Sequence, residues 1–99
     1  MSKHVSRKER WKQEDRRTYR SELGTVAYDH DGWYSLLDYR TRVAPATPGG
    51  LPSWQAHHRR LGPFKRPRNA MVALEQEATF LRNRHGKEVL FADQVWADT

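Results

Sequence analysis

The sequence predicts an α+β fold in which a three-stranded antiparallel sheet packs on one C-terminal helix, preceded by a charged N-terminal arm that is helical or disordered. Three observations lead to it. β-Branched and aromatic residues flank a turn at Asp29-His30-Asp31-Gly32, a second such run follows a Pro/Gly-rich connection, and apolar residues recur at helical spacing between Pro67 and Gly86. With 99 residues the chain has room for one core and one domain. Its mean hydropathy of -1.01 is too polar for every segment to join that core, so loosely ordered ends are expected.

Residues 1–23 form the arm. Eight Lys/Arg stand against four Asp/Glu there, and most of its residues favour helix. Trp11 and Tyr19 are its large rings, with no apolar stripe to seat a helix. Like charges at i and i+4, such as Lys8 with Lys12 and Lys12 with Arg16, weaken it further. A fraying arm ordered by a partner is the expectation.

At Gly24 the texture changes, and residues 24–86 read as the sheet-plus-helix domain. Thr25 to Tyr28 and Trp33 to Arg40 form a hairpin around the Gly32 turn. Alternation puts Trp33, Ser35, Leu37 and Tyr39 on the inner face, and Tyr34, Leu36 and Asp38 on the outer. Val43 to Pro52 contains three prolines and two glycines and cannot continue a strand. Trp54 to Leu61 supplies the third strand, and Gly62-Pro63-Phe64 turns the chain toward a helix with Pro67 in its first turn. Ala70, Ala73, Leu74, Ala78 and Leu81 line the face that packs on the sheet, with Phe80 at its edge. Gly86 stops the helix behind Arg82, Arg84 and His85. Residues 87–99 are an apolar and acidic tail. Val89 to Phe91 and Val95-Trp96 there suit an extra strand or docking on the helix.

Composition narrows the function classes. The absence of cysteine removes disulfides, thiolate metal sites and Cys nucleophiles, and fits a reducing compartment. No apolar run approaches a membrane span and the charged start has no hydrophobic stretch behind it, so a cytoplasmic protein without membrane contact is expected. A sequence pI near 10.1 with clustered cations is the footprint of a polyanion binder. No nucleophile elbow, phosphate loop, metalloprotease helix or paired-carboxylate site is visible, so neither enzymatic activity nor a cofactor is expected. Asp29-x-Asp31-Gly32 has the beginning of a calcium loop, but Arg40 stands where the closing Glu belongs, and the segment reads as a turn.

The stretches Gly24-Thr25-Val26, Asp31-Gly32-Trp33-Tyr34, Arg60-Leu61-Gly62-Pro63-Phe64 and Ala70 to Ala78, in this order, resemble the AP2/ERF-type DNA-binding fold and the arm-binding domains of tyrosine integrases. The resemblance spans Gly24 to Leu81 and implies that the sheet face opposite the helix enters the major groove. Carried onto this chain, that face presents Tyr34, Leu36, Asp38, Ala56, His58 and Arg60. Tyr34, His58 and Arg60 suit a phosphate or base, whereas Asp38 stands where the family usually places a basic residue.

Lys65-Arg66-Pro67-Arg68 is the most informative cluster. Cations at a helix N-terminus oppose the macrodipole, and Arg is a poor N-cap, so a bound phosphate would reconcile the conflict; a solvated turn is the plainer alternative. His57 and His58 are strand neighbours that point to opposite faces, so they do not share a metal. Arg59 then faces the helix, within reach of an ion pair with Glu77. The expected nucleic-acid contacts, to DNA or RNA, are therefore Lys65, Arg66, Arg68, Arg60, His58 and Tyr34, with Arg10, Arg16 and Arg17 from the arm. The leading reading is a small basic nucleic-acid-binding accessory protein of the kind found in phages and mobile elements. The alternative is a small protein-protein adaptor or inhibitor acting on a host or defence protein, anchored by Trp11, Tyr19, Phe91 and Trp96.

Overall fold

A computed structural model describes residues 10–45 and 47–91. The strands are β1 (Lys12–Asp15), β2 (Thr18–Arg20), β3 (Thr25–Asp29), β4 (Gly32–Val43), β5 (Ser53–Phe64) and β6 (Val89–Phe91). Helix α1 (Pro67–His85) lies between β5 and β6, and a short 3-10 turn, Gly86–Glu88, leads into β6. The class is α+β, but the sheet has six strands among the described residues where the sequence predicts three.

Strands β1 to β5 pair antiparallel in chain order, and β6 pairs antiparallel with β4. The long β4 accommodates both neighbours on one edge. Its Gly32–Leu36 segment pairs with β3, and its Tyr39–Thr41 segment pairs with β6. Its other edge pairs with β5 from Val43↔Ser53 to Trp33↔Phe64, with a bulge between Trp33 and Ser35. β4 and β5 thus form a 12-residue ribbon that runs beyond β3 toward the 44–52 connection.

The arm is the main correction. Residues 12–20 form a hairpin, not a helix or an unstructured lead. The Asp15 carboxylate accepts the Arg17 N–H at 2.8 Å, closing the turn, and β2 then pairs with β3. Ahead of the hairpin, Trp11 is only 5% exposed and belongs to the core, its Nε1–H donating to Glu75 on α1 at 3.0 Å. Good helix formers become strand here because pairing with β2 outweighs a propensity difference of a few tenths of a kcal/mol per residue.

Helix α1 covers one face of the sheet. Ala70, Met71, Leu74, Ala78 and Leu81 are buried against Val26, Leu37 and Tyr39, with Leu23, Val89 and Phe91 completing the core. Ala73, expected on that face, is half-buried, and Met71 takes the deeper position. Buried Ser35 donates its hydroxyl hydrogen to the Ala70 carbonyl, so the polar group carried inside by alternation is satisfied. Pro67 occupies the first turn and the Gly86 N–H caps the Arg82 carbonyl.

Register puts Arg59 opposite Leu37 on the helix side, and its guanidinium lies 2.7 Å from the Glu77 carboxylate. The Glu77 side chain is 19% exposed and the Arg59 side chain 48% exposed, so water screens the pair in part. Arg59→Met, leaving Glu77 half-desolvated, is expected to lower stability by about 1–2 kcal/mol in urea unfolding. The double variant Arg59→Met/Glu77→Gln should recover a good part of that loss. An Arg59→Met variant as stable as the wild type would show that the pair contributes nothing.

Candidate nucleic-acid interface

The sheet face away from α1 carries every second residue of the strands. On β4 and β5 it presents the cross-strand pairs Leu36↔Arg60, Asp38↔His58, Arg40↔Ala56 and Arg42↔Trp54, with Tyr34 beside the bulge. From β1 and β2 it adds Lys12 and Arg20, which pair with each other, and Glu14.

Its acidic groups are matched one by one. Glu14 holds Arg20 at 3.1 Å, Asp29 holds Arg60 at 3.3 Å, and Asp38 lies 2.5 Å from the His58 ring. Arg60 also lies over the Tyr34 ring, 3.7 Å from its centroid, and the Tyr34 hydroxyl donates to Asp31 at 2.8 Å. That hydrogen bond to a carboxylate raises the Tyr34 pKa above its usual value, with burial and the Asp31 charge adding to the effect, so the ring stays neutral at physiological pH. The three outer residues singled out from sequence are therefore brought together, but each is already engaged by a neighbour.

The far end of the same face differs. Among the described residues, no carboxylate pairs with Arg40 or Arg42. Trp54, directly across from Arg42, is 39% exposed, and no described guanidinium lies over its ring. These three residues are absent from the site expected from sequence, although the signal for them is there. The alternation Tyr34, Leu36, Asp38 continues to Arg40 and Arg42, and Arg60, His58, Ala56 continues back to Trp54.

The second cationic cluster is the turn before α1. Lys65, Arg66 and Arg68 are exposed, and none joins an ion pair among the described residues. Arg66 is the N-cap in extended conformation without a side-chain cap, and no acidic residue occupies the first turn. The conflict with the helix dipole expected from sequence is thus present in the fold. Strand rise puts this turn about 36 Å from Trp54, at the opposite end of β5.

Three expected contacts from the arm separate. Arg16 and Arg17 are exposed in the β1–β2 turn, Arg17 reaching over Tyr28 at 5.7 Å. Arg10 is committed internally, to Glu22 at 2.8 Å and Glu75 at 3.4 Å, so it does not serve as a free phosphate contact. The expected protein anchors are corrected likewise. Trp11 and Phe91 are buried in the core and Tyr19 packs beside it against Trp33, while Trp96 lies outside the described residues.

His57 and His58 point to opposite faces as expected, His57 stacking on Tyr39 and meeting Thr41 at 2.8 Å. No group of three metal-ligating side chains occurs among the described residues, and no described helix is long and apolar enough to cross a membrane. No family model, curated protein or solved structure matches the chain.

Proposed function

We propose that this protein binds nucleic acid as a small basic accessory module, contacting phosphates through two cationic clusters at opposite ends of β5. The observation that supports this reading is the division of charge on the outer sheet face. Glu14, Asp29 and Asp38 are paired off, whereas half-buried Arg40 and exposed Arg42 at its ribbon end have no counter-charge among the described residues. Lys65, Arg66 and Arg68 add a second surplus where a helix terminus offers backbone N–H groups. The resemblance noted in the sequence, in which the same sheet face meets DNA, points the same way. Tyr34, His58 and Arg60 then shape the middle of the face and orient its charges, and Arg16 and Arg17 extend the positive surface.

Fluorescence anisotropy with short labelled probes tests the reading. Binding should weaken steeply between 50 and 200 mM salt, as expected when several phosphates are neutralised together. Arg40→Ala/Arg42→Ala and Lys65→Ala/Arg66→Ala/Arg68→Ala should each weaken binding and lower the slope of log K against log salt by about one for every phosphate that is no longer neutralised. Absence of binding at low salt to both single-stranded and duplex probes overturns the proposal.

A protein-binding adaptor is the second reading, and the ribbon favours it through different residues from those expected. Leu51 in the connection is 91% exposed and Trp54 stands near it. Co-purification of a stoichiometric protein at high salt after nuclease treatment, abolished in Leu51→Ser, would favour that reading.

A further inference from the structure

We infer that the ribbon end of the outer face is a single-strand site, on which the Trp54 ring stacks an unpaired base while Arg40 and Arg42 hold the adjoining phosphates. The inference rests on the nucleic-acid reading above and specifies its ligand.

Four observations converge on it. Trp54, 39% exposed, is the described tryptophan that stands outside the core: Trp11 is in the core and Trp33 packs against it. Among the rings of the strands, half-buried Tyr34 is covered by Arg60 and exposed Tyr28 meets Arg17 and the edge of Trp33, while the exposed Phe80 is on α1, not on this face. An indole that is 39% exposed beside two guanidinium groups that join no ion pair among the described residues is the pairing that base stacking and backbone neutralisation require. Register then supplies the relief. Arg42 lies directly across from Trp54, while Arg40 lies across from Ala56, whose small side chain leaves room beside the ring for a nucleotide to lie on the sheet.

The charge pattern favours a strand over a duplex. A duplex laid along the whole face would press its phosphates toward Asp29, Asp38 and Glu14, which occupy the other half. A single strand needs only the ribbon end, where Arg40 and Arg42 join no ion pair among the described residues. Its bases are also exposed for stacking, as they are not within a duplex.

The test uses the full chain and fluorescein-labelled probes of roughly 12 nucleotides and one mixed sequence, within the site sizes usual for small single-strand binders, as single-stranded DNA, single-stranded RNA and DNA duplex, at low salt. Wild type should bind the single strands more tightly than the duplex, with the DNA and RNA arms deciding which sugar is preferred. Trp54→Ala should weaken single-strand binding about tenfold and change duplex binding little, whereas Trp54→Phe, which keeps a ring, should retain most of the affinity. Thermal unfolding of each variant should match the wild type, because the ring lies outside the core. A wild-type preference for duplex, or Trp54→Ala binding single strands as well as wild type does, overturns this inference and leaves the broader reading standing. Failure of wild type to bind any probe removes both.

Discussion

Replacing Trp11 with alanine is expected to destabilise the fold by about 3–5 kcal/mol, the usual cost of truncating a buried aromatic side chain. The indole is enclosed between the start of the β1–β2 hairpin and α1, and its N–H donates to Glu75. Alanine would leave a cavity and remove the hydrogen bond together. For a domain of this size the thermal midpoint should fall by roughly 15 °C or more. Arg10, the neighbouring residue, bridges Glu22 and Glu75, so its two ion pairs should loosen with the hairpin. Trp54→Ala is the natural comparison, because truncation of an exposed strand residue away from the core should change stability by no more than about 0.5 kcal/mol. Urea unfolding of the two variants separates a tryptophan that builds the fold from one available to a ligand. Equal stability of Trp11→Ala and wild type would return the segment to the unanchored arm that its sequence suggests.

The contrast between those two tryptophans explains which parts of the fold are legible in the sequence. Helix α1 is readable because Ala70, Leu74, Ala78 and Leu81 repeat at a spacing that only a helix brings to one side, between a proline and a glycine suited to its ends. The β3–β4 hairpin is readable from its turn, and the Arg59–Glu77 contact from strand alternation at Arg59 combined with helical spacing at Glu77. By contrast, β1 carries Lys-Gln-Glu-Asp, all exposed, with no apolar alternation to report a strand. It exists because β2 offers an edge and Trp11 docks on a helix residue 64 positions later, and long-range contact of that kind leaves no local signature. β6 lies on the apolar run Val89–Phe91, which the sequence offers as an extra strand or as a segment docked on the helix.

The candidate site is obscured for a different reason. Its residue types are conspicuous, but their neighbours decide which are available. Tyr34, His58 and Arg60 satisfy the pattern of a phosphate-binding face, yet Asp31, Asp38 and Asp29 engage them across strands or turns. Arg40 and Trp54 are the end residues of the spans that sequence alone assigns, and Arg42 lies past them, where β4 continues to Val43 opposite Ser53. Following both strands to those ends moves the candidate ligand surface from the centre of the sheet to the ribbon.

Gly24→Ala should cost about 2–3 kcal/mol, at the upper part of the range for overpacking a buried position. The residue is buried where β2 turns into β3, and a Cβ there would overlap the Leu36 carbonyl oxygen and lie 3.2 Å from the Leu74 side chain. The oxygen belongs to the β4 backbone and cannot rotate away, so β3 must shift off β4 or the helix must lift. Gly49→Ala calibrates the result. Its Cβ would meet nothing within 4 Å, leaving only the left-handed backbone at φ +79°, for which about 1 kcal/mol is expected. The larger effect at Gly24 should appear as a lower urea midpoint with an unchanged slope. If the proposed ribbon-end site is correct, single-strand affinity per folded Gly24→Ala molecule should remain near wild type. Arg40, Arg42 and Trp54 are held in register by β4–β5 pairing, whereas the displaced corner adjoins the β3 segment of β4. A large drop in affinity in the fully folded variant would instead tie the ligand to the β3 end of the face.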